Sequence, residues 1–263
     1  MNEIEILNFM KVISLEAGNI LLNGFRSKEI MISYKSRTNL VTNIDKESEN
    51  FLYNRIREKY PDHTIIAEEG SEQRTENDYI WYVDPLDATN NYAHGIPYFS
   101  VSIGVFSRAA KRVVAGVVFD PFHQELFSAC RGNGAFLNDE QIHTSGTTDL
   151  GISLLATGFP YNKADMNRNN HREFIAFLPR AQGIRRIGSA SLDLSYVACG
   201  RIDGYWEPML YAWDMAAGSL IVEEAGGTVT KYNGDPFDPE YPEILATNGT
   251  IHAQMIDILS TIA

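Results

Sequence analysis

Cys130 and Cys199 are the only cysteines in 263 residues and form no C-x-x-C pair. That excludes a disulfide-stapled scaffold and a cysteine zinc site, and predicts a reducing, cytoplasmic setting. Positive charge is scarce too. With 22 Lys and Arg against 34 Asp and Glu, the net charge is −12, so binding to a nucleic-acid backbone or an anionic membrane surface would be electrostatically repulsive. No apolar run approaches the roughly 20 residues that cross a bilayer. The start, Met1-Asn2-Glu3-Ile4-Glu5, is acidic where a signal peptide would be basic. There is no G-x-x-x-x-G-K-[ST] and no H-E-x-x-H, and Gly132-Asn133-Gly134 lacks the third glycine that a dinucleotide loop would need.

What is present is an ordinary globular composition: 44% apolar residues, with 13 Phe, 13 Tyr and 3 Trp. The length suits one large domain or two intimately packed ones. Ile4, Leu7, Met10, Ile13, Ala17, Ile20 and Gly24 recur every three or four positions and predict an opening helix. A second helix is expected to start with Asp45 as its cap and to end at Pro61. Buried strands are expected at 64–67 and 79–83, followed by an antiparallel meander through 99–106, 113–119, 125–130 and 134–137. From Ile152 the pattern turns to alternation: strands at 152–156, 184–187 and 204–207, helices near 171–178, 189–198 and 214–225. The fold class is therefore α+β passing into α/β in layers. The polar stretch 138–151 divides sub-domains 1–145 and 146–263.

The chemistry concentrates where strands meet acids. In Trp81-Tyr82-Val83-Asp84-Pro85-Leu86-Asp87-Ala88-Thr89-Asn90 a strand delivers Asp84, Pro85 interrupts the ladder and Asp87 follows within one turn. Two carboxylates and the Leu86 carbonyl then offer the hard oxygens that Mg²⁺ prefers. A helix starting at 88–90 would add unpaired amides for an anion. Glu68-Glu69-Gly70 again places carboxylates at a strand end, and Trp213-Asp214-Met215-Ala216-Ala217-Gly218 leads a helix. Each acid alone is more often a turn or cap residue; three such elements together are not.

That combination resembles the inositol monophosphatase family of Mg²⁺-dependent, lithium-inhibited phosphatases, over nearly the whole chain. The resemblance implies an alternating αβαβα sandwich, a homodimer and two to three Mg²⁺ per site. Glu68, Asp84 and the Leu86 carbonyl would hold the first ion; Asp84, Asp87 and Asp214 the second; a weaker third would sit near Glu68. Asp45 and Thr89 would polarise the attacking water, supported by Glu69, with the first metal lowering that water's pKa and the second stabilising the leaving oxygen. The amides of Ala88 and Thr89, with Lys35, would bind phosphate. Glu207 would accept hydrogen bonds from the substrate's ring hydroxyls, and the turn carrying Ser189 and Ala190 would face the substrate, although for Ser189 helix capping is the safer reading. Phe159, Pro160 and Tyr161 would shape the alcohol pocket. The family usually has Gly where this chain has Ala88, at a cost of about 1 kcal/mol if the backbone there is left-handed.

The expected partner is thus a small phosphorylated metabolite, with inositol monophosphate first. Fructose 1,6-bisphosphate, histidinol phosphate, 3′-phosphoadenosine 5′-phosphate and NADP remain alternatives, since relatives with the same metal core cleave them. A phosphate-binding module without turnover and a two-metal nuclease are the rivals from other classes.

Overall fold

The computed structural model describes residues 2–27, 30–36, 39–161 and 168–262. The opening helix forms as its spacing predicts: α1 (Glu3–Gly24) is capped by the Asn2 side chain and buries Ile6, Met10, Ile13, Ala17 and Leu21 along one stripe. A hairpin of β1 (Ile32–Tyr34) and β2 (Leu40–Thr42) leads into α2 (Asn43–Lys59). This helix begins two residues before the expected Asp45. Thr42 is the cap, and Asp45 occupies the third helical position, where its carboxylate reaches back to the Thr42 amide.

The chain continues through β3 (Thr64–Ala67), β4 (Glu72–Gln73), β5 (Tyr79–Asp87), the short α3 (Thr89–Ala93), β6 (Ser100–Ser107), β7 (Arg112–Asp120), β8 (Glu125–Cys130), β9 (Ala135–Leu137) and β10 (Glu140–Ile142). Then follow β11 (Leu154–Thr157), α4 (His171–Phe177), β12 (Gly183–Arg185), α5 (Ala190–Ala198), β13 (Gly204–Pro208), α6 (Ala212–Glu224), β14 (Thr228–Thr230), β15 (Glu243–Thr247) and α7 (His252–Ser260). The first sheet has the order β10-β9-β8-β7-β6-β5-β3-β4 and the second β12-β11-β13-β15-β14. The expected meander is antiparallel, whereas β3 and β5 run parallel. The second sheet is mixed: β12-β11-β13 is parallel, and the return strands β15 and β14 are antiparallel.

Period-two alternation sorts the layers. In the first sheet Trp81 and Val83 pack among the core residues of α1 and α2, while Ile80 and Tyr82 pack with α5 and α6. In the second sheet Ala156 and Tyr205 belong to that same inner core, and Leu155, Trp206 and Leu245 face Phe177 of α4 and Met255 and Leu259 of α7. The result is five layers, αβαβα. Helix α6 is buried on every side from Met215 to Val222, as a helix between two sheets must be. Its small residues allow close approach: a Cβ on Gly116, paired with Gly104 in the sheet, would stand 2.8 Å from the Ala217 carbonyl oxygen.

Candidate active site

One cleft opens between the layers, and Glu68, Asp84, Leu86, Asp87, Ala88, Thr89, Ala190, Glu207 and Asp214 all line it. The bend that builds it lies in β5. Pairing with β6 slips between Asp84 and Asp87, so Pro85 and Leu86 form a bulge and pairing resumes at Asp87 opposite Ser100. Proline, with no amide to donate, sits where no ladder bond is needed. The Asp84 carboxylate accepts from the Leu86 amide at 3.0 Å, and the Leu86 carbonyl accepts from the Thr89 hydroxyl at 3.1 Å. Ala88 then adopts φ 72° and ψ 45° to start α3. The left-handed conformation that makes Ala costly there is thus the one the turn uses.

Each remaining acid is delivered by a helix start or strand end. Asp214 is the third residue of α6 rather than its cap, and its carboxylate accepts from the Tyr211 amide at 2.7 Å. Asp45 accepts at Oδ1 from the Thr89 hydroxyl at 2.9 Å and at Oδ2 from the Thr42 amide and hydroxyl. The expected Asp45–Thr89 pair is therefore formed and fully buried. Glu68 and Glu69 follow β3, and Lys35 bridges them, with Nζ 3.2 Å from Glu68 and 2.5 Å from Glu69. Glu207, next to last in β13, accepts from the Tyr205 hydroxyl and presses so close to Gly158 that a Cβ there would meet its carboxylate at 2.0 Å. Phe159, Pro160 and Tyr161 form the adjoining wall.

Ser189, expected to face the substrate, is fully buried. Its hydroxyl donates to Asp87 at 2.7 Å and accepts from the Leu192 amide at 3.3 Å, so it caps α5 and orients an acid; Arg186, Gly188 and Ala190 of that turn line the cleft. Two residues that the sequence reading missed do comparable work. Ser191 donates to Asp87 through both its amide and its hydroxyl. Glu49 accepts from the amides of Glu69 and Ser71 at 2.6 and 2.9 Å and holds the acidic loop in place. Glu49 lies one helical turn beyond Asp45 on the buried face of α2 with Leu52 and Ile56, a charge on an apolar stripe that signals an internal partner.

The electrostatics follow from crowding like charges in a dry place. Burial, then repulsion from Glu68, Asp87 and Asp214, pushes Asp84 well above the usual carboxylate range, and burial with repulsion from Glu68 and Asp87 does the same to Asp214. Burial raises Glu68 against the opposing charge of Lys35, and raises Asp87 against the donors of Ser191 and Ser189. Glu69 and Glu207 are each pushed by burial from 4.5 to about 7. Among the described residues no three His, Cys, Asp or Glu groups are drawn together as a closed metal-ligand set. The hydrogen bonds show one oxygen of each acid already engaged: Asp84 and Asp214 each turn one back to a local amide, and Asp87 turns one to the Ser191 amide of α5. The donor set nevertheless fits a hard divalent cation. All its atoms are oxygens, and its mutual repulsion is what a cation would relieve.

Comparison with known proteins agrees with this geometry. The model of the inositol monophosphatase family matches residues 3–262. The inositol-1-monophosphatase of Synechocystis is 46% identical over 222 residues, which are 84% of this chain and 77% of that protein. The Nus factor SuhB of Pasteurella multocida is 44% identical over 231 residues, 87% of this chain and 86% of its own. The solved inositol monophosphatase of Anabaena superposes with a TM-score of 0.90 at 41% identity, covering 100% of this chain and 98% of that one. The chain belongs to the inositol monophosphatase family, whose members are phosphatases of small phosphorylated substrates.

Two measurements follow from the site. Ala88→Gly is expected to raise stability by about 1 kcal/mol in denaturant unfolding, because it removes a left-handed Cβ; an unchanged or lower midpoint would place Ala88 in another conformation. For acids whose folded pKa lies above the unfolded one, stability is complete below the unfolded value and is lost as pH rises through the folded one. For Glu69 and Glu207 that window runs from 4.5 to about 7. The Tm of metal-free protein is expected to fall by about 5 °C or more across it, and millimolar Mg²⁺ to restore it. A Tm that rises across the window and ignores Mg²⁺ would contradict the crowding argument.

Proposed function

We propose that this phosphatase hydrolyses a small phosphate monoester with a polyol leaving group, inositol monophosphate foremost, by direct attack of water. The observation that carries the reading is that the buried carboxylates of Asp84 and Asp87, the half-buried ones of Glu68 and Asp214, Glu207 and Thr89, which is bonded to Asp45 behind it, converge on one cleft. Glu68, Asp84, Asp87, Asp214 and the Leu86 carbonyl would hold Mg²⁺, two or three ions in all. Bound there, Mg²⁺ supplies an acidified water and charge neutralisation at the leaving oxygen.

The chain's own residues supply the rest. Thr89 spends its single hydroxyl proton on Asp45 and the Leu86 carbonyl, which leaves its oxygen lone pairs to accept from the attacking water. Burial raises Asp45, which makes it a stronger acceptor for the charge that water sheds, and the Thr42 donors hold it in line. Glu69 and Lys35 fix the loop beside this pair and place a cation near the phosphate. The first amides of α3, at Thr89 and beyond, lack partners within the helix and can donate to phosphate oxygens. At the other end Glu207, near neutrality in its pKa, can accept from leaving-group hydroxyls.

Among the described residues no helix is long and apolar enough to cross a membrane. A cytoplasmic homodimer that acts on metabolites rather than on polynucleotide completes the reading, on the strength of composition and family. The proposed sub-domains 1–145 and 146–263 follow the two sheets, whose strands lie within 64–142 and 154–247. The test is phosphate release from inositol 1-phosphate, fructose 1,6-bisphosphate, histidinol phosphate, 3′-phosphoadenosine 5′-phosphate and NADP, with and without Mg²⁺, for the natural chain and Asp214→Asn. Mg²⁺-dependent release led by the inositol ester, and lowered on the order of 10³-fold in the variant, is expected. Release from no member would favour a binding module, and near-normal activity of Asp214→Asn would remove that residue from the site.

A further inference from the structure

Asp87 differs from the other acids of the cleft in how completely one of its oxygens is used. Its Oδ2 accepts from the Ser189 hydroxyl at 2.7 Å, the Ser191 amide at 2.9 Å and the Ser191 hydroxyl at 2.5 Å. Three donors saturate that oxygen, and none of them engages Oδ1. The Ser191 hydroxyl has a single proton, and a carboxylate this close can only be its acceptor. Ser100 Oγ lies 2.7 Å from Ser191 Oγ, and in that pair either oxygen could donate by distance alone. Because the Ser191 proton is committed to Asp87, Ser100 is the donor.

The direction of the whole chain of hydroxyls is therefore set. Ser100, Ser189 and Ser191 are each fully buried, so water does not compete for these bonds, and none of the three lines the cleft. The backbone explains why they meet. Ser100 is the cross-strand partner of Asp87, the residue at which pairing resumes after the bulge, and Ser191 sits in the first turn of α5 above it. A buried hydroxyl without a partner is costly, which makes the two serines interdependent.

We propose that Ser100 and Ser191 form a directed hydroxyl chain, Ser100 to Ser191 to Asp87 Oδ2, which restricts Asp87 to one-oxygen ligation and so selects Mg²⁺ over Ca²⁺. The proposal rests on the reading of the cleft as a metal site. Its chemistry is that Mg²⁺ demands near-ideal octahedral geometry from single oxygens, whereas Ca²⁺ accepts bidentate carboxylates and flexible shells. An Asp87 freed to rotate, or to offer both oxygens, harms the smaller ion more. Ser100 and Ser191 are thus positioning residues that act through Asp87.

The test is calorimetric titration of the metal-free full-length protein with MgCl₂ or CaCl₂ alone, for the natural chain, Ser191→Ala, Ser191→Thr, Ser100→Ala and Asp87→Asn. Ser191→Ala is expected to weaken Mg²⁺ binding about 10- to 100-fold and Ca²⁺ binding no more than about 3-fold. Ser191→Thr keeps the hydroxyl and is expected to stay within about 3-fold of the natural chain for both ions. Ser100→Ala, which leaves the donors to Asp87 in place but unties Ser191, is expected to lose about 3-fold for Mg²⁺ alone; it carries the test if Ser191→Ala does not fold. Unchanged Mg²⁺ binding in Ser191→Ala or Ser100→Ala, equal losses for the two ions, or a threonine variant as impaired as the alanine would overturn the chain. A natural protein that binds Mg²⁺ no better than Asp87→Asn would instead remove the metal site on which it rests.

Discussion

Repulsion among carboxylates buried in one cleft is the constraint on which this structure depends. Glu68, Asp84, Asp87, Asp214 and Glu207 line a single cavity; burial raises the pKa of each, and repulsion from the neighbouring acids adds to it at Asp84, Asp214 and Glu207. Left to itself such a cluster would protonate or swing apart. The five-layer architecture stops the second outcome by tying each acid to a rigid element. The first is the state a divalent cation would replace.

For Asp45, Asp87 and Asp214 the tying is done with one recurring device, the start of a helix. Asp45 and Asp214 both sit at the third position of their helices and fold back onto the amide preceding the helix. Asp87 accepts from the first turn of α5 although it belongs to β5, and this joins the first sheet to the inner helical layer. Helix starts carry unpaired amides and the positive end of the dipole, so they hold carboxylates at little cost. An acid oriented by one oxygen keeps the other for a ligand. The same hydrogen bonds that spread the acids into an open set are thus those that make them directional.

Much of this was legible in the sequence wherever the signal is local. Asp84-Pro85-Leu86-Asp87 spells a strand, a break and a second acid, and the structure makes that break a bulge with the Leu86 carbonyl turned toward Thr89. The penalty suspected at Ala88 is present as a left-handed φ. What escaped was set by partners distant in sequence. Ser191 reads as an ordinary small helical residue until Asp87 arrives beside it from 104 positions away. Ser189 reads more safely as a helix cap than as a substrate contact, and it caps α5; its bond to Asp87, 102 positions away, was not legible. The return strands β14 and β15 and helix α7 went unread, since their short apolar runs gain meaning only from the two faces of the second sheet, Val229, Ile244 and Ala246 on the inner one and Leu245, Met255 and Leu259 on the outer.

The central claim is that these acids are held apart for a cation. Its most direct test is a crystal of the protein grown with millimolar Mn²⁺, read by anomalous scattering at the manganese edge. The account expects at least two peaks inside the cleft, bounded by Glu68, Asp84, Asp87 and Asp214, and their loss in Asp214→Asn. A cleft with no peak while Mn²⁺ is seen elsewhere on the surface, or peaks that survive the substitution unchanged, would contradict it.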